Sequence, residues 1–286
     1  MSLSARVPAG ADTYKYVPEI FLNLVIEAAK SKLVAWDALN TQWTSGMVKG
    51  DTFYFPKSNA VTATEVVVGT KGSALDPFAT AAVTLTVNQW YEAPVDIDYM
   101  TKLQTQAQME QSAVAEAAYA IAKKMDTTAN TLYSALGGSA YPNADTGDAL
   151  TDDILLALKL ALDEADVPMD GNRSLIVDPS GLSDMLKIDK LVAATYSAAG
   201  GNIKNGIIGQ SVYGCTVRVT NNLTAASTGA YGAMIHKNAI AGLAQIEKAW
   251  RKEFEELHQT RFQSEALWGV VEVQDTFGKA FFTRHA

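Results

Sequence analysis

The chain has one cysteine and three histidines in 286 residues, and only 19% of it is Asp, Glu, Lys or Arg. Each shortage excludes something. A lone Cys215 rules out a disulfide framework within one chain and any multi-cysteine metal site. His236, His258 and His285 lie far apart and share no motif, so no metal ligand is assigned to them. No run of about 18 apolar residues is present, so no membrane-spanning helix and no membrane partner is expected. Residues 1–11 carry no basic stretch followed by an apolar one, so no secretory signal is expected. Positive charge is short too: 23 Lys and Arg face 31 Asp and Glu, a net −8. That balance argues against gripping duplex nucleic acid, which needs basic side chains clustered on one face. The densest basic cluster, Lys248, Arg251 and Lys252, is interleaved with Glu247, Glu253, Glu255 and Glu256 and reads as a solvated face. Charge as a whole is below the roughly 25% of a typical soluble chain. Such a chain either buries surface against partners or shows an uncharged polar exterior.

Signatures of catalysis are missing as well. Ser211 sits in Gly209-Gln210-Ser211-Val212, not in a G-x-S-x-G elbow. Gly200-Gly201 and Gly206…Gly209 do not fit either phosphate-binding loop, and no Lys follows to hold a phosphate. Asp152-Asp153, Asp163-Glu164 and Glu255-Glu256 are adjacent in sequence, and adjacent residues do not face each other on a helix. Cys215 reads as a small buried hydrophobe. No catalytic, cofactor-binding or metal residue is assigned, no cofactor is implied, and the expected answer is not an enzyme. An α/β enzyme remains the alternative, with Asp178 and His236, both near expected strand ends, as its best candidates.

What is present is a change of period along the chain. Residues 1–17 form an arm without periodicity. Residues 19–39 repeat apolar side chains as a helix does, with Pro18 at the first turn. Residues 52–55, 65–68 and 82–87 are β-branched and aromatic, separated by turn signals at Gly69, Gly72 and Pro77. The stretch 50–93 therefore reads as a long two-stranded excursion, which in isolation is only marginally stable. Ile97, Met100, Leu103, Ala107, Val114, Ala118, Ile121, Met125, Leu132 and Leu136 recur at helical steps, with no Pro or Gly until Gly137. A helix over 97–136 would span about 60 Å. Thr151-Asp152-Asp153 caps a helix over 154–165, and Ser174–Val177 followed by Asp178-Pro179-Ser180 reads as a buried strand and a capped helix over 181–186. Strands follow at 216–220 and 233–236, giving a mixed α/β unit. Residues 246–257 and 262–282 alternate as paired antiparallel strands, with a bend at 277–279.

Three segments carry a family likeness. Val17-Pro18-Glu19-Ile20 with Gly50-Asp51-Thr52-Phe53-Tyr54-Phe55-Pro56 is the first. Arg173-Ser174-Leu175-Ile176-Val177-Asp178-Pro179 with Leu186 is the second. Asn205-Gly206-Ile207-Ile208-Gly209, Val212-Tyr213-Gly214 and Val217-Arg218-Val219-Thr220-Asn221-Asn222-Leu223 form the third. In this order they resemble the major capsid protein of tailed bacteriophages, whose fold encapsulin shells share. The resemblance implies an α+β phage-capsid fold with four parts. They are an N-terminal arm and helix (1–43), an extended two-stranded loop (44–95), a peripheral domain with a long spine helix (96–149 and 246–286), and an α/β axial domain (150–245). In that fold the loop lies across a neighbour, residues 193–205 near the capsomer axis, and the arm against other capsomers.

The implied function is a structural subunit that self-assembles through hexamers and pentamers into an icosahedral capsid. The shell would enclose double-stranded DNA without sequence-specific contact. An encapsulin-like compartment is the alternative. Further implied partners are a separate scaffolding protein, a portal and a decoration protein; the place is the virion, assembled in the host bacterial cytoplasm. The low charge then acquires a location. Residues 50–93 carry only Asp51, Lys57, Glu65, Lys71, Asp76 and Glu92, and 196–231 only Lys204 and Arg218. These segments are expected to lie against neighbouring subunits. A charge at Val67 or Leu85 is then expected to harm assembly more than folding.

Overall fold

A computed structural model describes residues 34–42, 52–58, 63, 65, 68, 80–99, 108–138, 140–141, 148–192, 203–204, 207–208, 211–226 and 228–284. The expected arm (1–17), most of the first helix, the tip of the excursion and most of the 193–205 loop lie outside these residues. Of the first helix, α1 (Ala35–Ala38) is described.

The excursion is a hairpin. β1 (Thr52–Ser58) pairs antiparallel with β2 (Thr80–Thr86), Phe53 opposite Leu85 and Phe55 opposite Val83. Glu65 and Val68 lie outside any strand. The pleat sends alternate side chains to opposite faces. Phe53, Phe55, Val83 and Leu85 therefore share one face, and they pack with Val87 on Ala241, Leu243, Leu267 and Val271. Leu85 is 0% exposed within its own chain. The hairpin thus has a core, supplied by the chain's closing strands. Gly269 permits the contact: a Cβ there would sit 2.4 Å from the Thr86 carbonyl oxygen.

Those closing strands form a three-stranded antiparallel sheet. β11 (Ile240–Phe254) pairs with β12 (Gln259–Glu272), which pairs with β3 (Gln89–Asp98). Ile97 lies in β3, opposite Thr260, and not at the head of a helix. Ile97 fits a helical repeat only when its cross-strand partner, more than 160 residues away, is ignored; the rest of the expected start of the helix, residues 100–107, lies outside the described residues. The helix α2 is described from Gln108 to Asn130 and continues as a 3₁₀ turn, Thr131–Ala135. Its Ile121 and Met125, one turn apart, pack on Ala266 and Trp268 of β12. Tyr91 of β3 stacks on Trp268 with ring centroids 5.2 Å apart.

The second sheet runs β13 (Gly278–Arg284), β10 (Gly229–His236), β4 (Arg173–Val177), β8 (Cys215–Val219), β7 (Ser211–Val212), with β9 (Ala225–Ala226) paired to β10. A small separate pair, β5 (Ile203–Lys204) and β6 (Ile207–Ile208), precedes β7. Only β4 and β8 run parallel; between them lie α4 (Pro179–Met185) and α5 (Asp189–Val192). Both faces of the sheet are covered. Leu175, Val177, Met234 and Phe281 meet α3 (Asp152–Glu164) through Ile154, Leu155, Leu158 and Leu162. On the opposite face Ile176, Ala233 and Ile235 meet Ala129, Tyr133 and Leu136 from the end of α2, together with Leu39 and Ile240.

The alternation over 262–282 therefore covers two strands in two sheets. β12 stays with β11, and β13 crosses over to pair with β10. The turn from α2 toward β13 is made by Gly137, at φ +66°, where a Cβ would lie 2.5 Å from the Gly278 carbonyl oxygen.

Candidate functional site and assembly surfaces

Two short crossings join the sheets: residues 237–239 between β10 and β11, and 273–277 between β12 and β13. They are bonded to each other. The Ala239 amide donates to the His236 carbonyl (2.8 Å), and the Ala239 carbonyl accepts from the amides of Val273 (2.8 Å) and Gln274 (3.1 Å). Asn238 Oδ1 accepts from Asn40 Nδ2 (3.0 Å), while Asn40 itself bonds along β11 through Ile240 and Gly242. Beside this joint lies a buried carboxylate, Asp126 of α2. It accepts from the amides of Val34 (3.0 Å) and Ala35 (2.7 Å) and from Asn222 Nδ2 (3.0 Å). Asn130, one turn further along α2, donates to the Asn222 carbonyl (2.9 Å). Asp126 and Asn130 were not singled out in the sequence. Asn222 was, as part of the third family segment, and its role is to tie the loop after β8 to α2.

The two enzyme candidates are not brought together. Asp178 caps α4: its Oδ1 accepts from the Gly181 amide (2.7 Å), and Ser180 Oγ donates to both carboxylate oxygens. His236 pairs in register with Arg173, the first residue of β4, whereas Asp178 follows the last. Five residues of strand put them about 16 Å apart along β4. His236 is 2% exposed and engaged by Asp170 (3.2 Å from Nε2) and the Asn238 amide (3.2 Å to Nδ1). Burial pushes the Cys215 thiol up to about 11, which leaves it protonated and unreactive at neutral pH. His258 occupies a left-handed turn at the β11–β12 tip, and His285 lies outside the described residues.

Paired acids also part company. Burial raises the Asp152 carboxyl, but Lys190 (2.5 Å) and the Tyr213 hydroxyl outweigh it and leave it below the usual range. The Tyr213 phenol is pushed up to about 12, first by burial and then by Asp152. Asp163 is held low by Lys159 (2.5 Å) and then by Arg173 (2.7 Å). Arg173 is itself buried, its guanidinium also donating to the carbonyls of Val167 and Pro168. Among the described residues, no group of three or more His, Cys, Asp or Glu side chains could hold a metal ion. Among them, too, no helix is long and apolar enough to cross a membrane.

The outward faces carry the remaining apolar surface. Trp90 of β3 is 71% exposed, and Tyr54 on the outer side of the hairpin 63%. β3 is an edge strand, and its outward-facing row also holds Glu92, Pro94, Asp96 and Asp98. Proline and charge at an edge oppose indiscriminate strand pairing. Arg261 grips Asp96 with two bonds of 2.7 Å, Gln263 donates to Glu92 (2.6 Å), and Gln259 to Asp98 (2.8 Å). On α3, Leu156 and Leu160 point outward one turn apart, opposite the four side chains that enter the core. Their signal was present in the sequence: Ile154, Leu155, Leu156, Leu158, Leu160 and Leu162 are more apolar positions than one buried face can use.

Comparison with known proteins agrees with this architecture. A solved structure from Mycobacterium phage Che8 superposes with a TM-score of 0.77 at 19% identity, covering 93% of this chain and 96% of that one. The capsid structure of the Cyanophage P-SCSP1u gives 0.74 at 13%, covering 93% and 92%. The mature capsid of bacteriophage PhiM1 gives 0.70 at 15%, covering 94% and 92%. No curated protein matches the chain. The family model described as phage capsid protein matches residues 94–278, which run from β3 through both sheets to the start of β13. With well over half of its length matched in this way, the chain belongs to the phage capsid protein family.

Proposed function

We propose that this capsid-forming subunit assembles through hexamers and pentamers into an icosahedral shell around double-stranded DNA, in a virion built in the bacterial cytoplasm. The family match over both sheets carries this reading. The net charge of −8 suits a wall that does not trap the phosphate backbone during packaging. A scaffolding protein, a portal and a decoration protein are the proposed further partners. The role is structural and not enzymatic: Asp178 serves as a helix cap and His236 as part of the joint.

The proposed division keeps the arm and first helix at 1–43, the extended loop at 44–95, the peripheral domain at 96–149 and 246–286, and the axial domain at 150–245. The pairing of β13 with β10 favours counting 278–284 with the α/β sheet. The loop's exposed side, with Tyr54, and the outward leucines of α3 are the faces offered to neighbours. Negative-stain microscopy of the purified protein tests the reading. Shells, or rings of five or six, are expected; a compact monomer at high concentration with scaffolding protein present would sink it.

A further inference from the structure

We infer that a single water molecule is bound where the end of α2 meets β8, held by Asn130 Oδ1, the Tyr133 hydroxyl and Arg218 Nε. Among the described residues, these three atoms are buried and meet no hydrogen-bond partner. Asn130 and Tyr133 are both 0% exposed. Leaving a polar atom unpaired in such a place is costly, so buried polar groups are paired with water where the chain supplies no partner. The three atoms come from two elements that share one sheet face. Asn130 ends α2, and Tyr133 follows three residues later in the 3₁₀ turn, on the same side. Arg218 lies in β8, in register with Ile176 of β4, and Ile176 packs in the same cluster as Tyr133. Residues opposite each other in a sheet point to the same face, so Arg218 emerges on the face that Tyr133 covers. The electrostatics agree. Burial first, and then Asp126, push the Tyr133 phenol far above its usual range, and the Arg218 guanidinium pulls it back.

The other polar atoms of these side chains are already used, which defines what the site can take. Asn130 Nδ2 donates to the Asn222 carbonyl (2.9 Å), leaving Oδ1 as the acceptor. Arg218 Nη1 reaches the exposed Asp37 at 3.4 Å, while Nε stays inside. Both oxygens of Asp126 are taken, by the amides of Val34 and Ala35 and by Asn222. What remains is one acceptor, one donor and one hydroxyl able to act as either. A metal cation would meet the guanidinium, and an anion would meet Asp126 and the Asn130 oxygen. Water both donates and accepts, and about three bonds is what a buried water usually makes. It accepts from Arg218 Nε–H and donates to Asn130 Oδ1, and its third bond goes to the Tyr133 hydroxyl. The water thereby fastens the end of α2 to the second sheet, beside the Asp126 node.

Two measurements on the full chain test this. Denaturant melts of the unassembled subunit compare wild type with Tyr133→Phe. A hydroxyl bonded to water is a partnered group, and its removal should shift the folding equilibrium about three- to tenfold toward the unfolded chain. Removing an unpartnered hydroxyl would leave the equilibrium unchanged or shift it the other way. A density map of the chain, free or assembled, that is sharp enough to show other buried waters should carry a peak within hydrogen-bond distance of all three atoms. The peak and a destabilising Tyr133→Phe together bear the inference out; the absence of either overturns it.

Discussion

Asp126 gathers three donors from two parts of the chain, the adjacent amides of Val34 and Ala35 and the side-chain amide of Asn222. Removing the carboxylate would take this acceptor from the buried amides at the start of α1 and from Asn222 after β8. Asp126→Ala is expected to destabilise the subunit by about 3 kcal/mol, whereas Asn222→Ala, which removes one donor, should cost about half as much. Denaturant melts of unassembled protein would measure both; equal and negligible losses would show that the node holds nothing together. Asp184 poses a different question. Burial alone would raise its carboxyl, but Lys187, Arg284 and the Leu150 amide together bring it below the usual range. A depressed carboxyl stabilises the fold above its unfolded value and loses that contribution as pH falls. Melting temperature should therefore drop below about pH 4, and less steeply in Asp184→Asn, whose neutral-pH stability is already reduced.

At the scale of elements, legibility followed distance along the chain. The run Ser174–Val177 with its Asp178 cap could be read because strand, cap and helix start lie within eight residues. Thr151, within the expected capping run 151–153, caps α3, and of the two cap candidates Asp178 and Ser180 it is Asp178 that caps α4. Ile97 could not be placed locally, because what makes it a strand residue is Thr260. Residues 262–282 alternate on both sides of the expected bend at 277–279, and nothing local tells which of two sheets each half joins; the 3₁₀ turn Asp275–Phe277 lies where the chain passes from one to the other. Leu85 was expected to face a neighbour, yet it belongs to the contact between the hairpin and β11. Leu85→Asp should therefore unfold or detach the hairpin in the isolated subunit, costing several kcal/mol. Thr84→Asp, one residue away on the exposed side, should leave stability within about 0.5 kcal/mol. Similar losses in the two variants, read by denaturation or limited proteolysis, would remove the distinction between the hairpin's faces.

For the whole molecule, the scarcity of charge divides into two causes. Part of it lies inside the chain, where Phe55, Leu85 and Val87 meet the closing strands. Another part is displayed outward, on residues that include Tyr54, Trp90, Leu156 and Leu160. Contacts among many copies need to be individually modest if misplaced subunits are to leave again, and a pair of leucines on one helix is of that order. Leu160→Lys is expected to keep the melting behaviour of the subunit within about 0.5 kcal/mol while reducing the yield of shells or rings. Sedimentation would separate the two effects; shells at normal yield would leave the outward leucines without an assembly role.

β10 and β13 are antiparallel neighbours, so everything from 237 to 277 can be regarded as the loop of one hairpin. Inside that loop sits a second hairpin, β11 and β12, long enough to carry a sheet of its own. The cost of closing a loop grows only slowly with its length. The inner hairpin can therefore lengthen or shorten over evolution while the outer pair keeps its register. Folding gains from the same nesting, because β13 reaches β10 as soon as the inner strands zip, without a search across the whole chain. A subunit whose reach is set by an inserted hairpin can change the span of its contacts without redesigning its core.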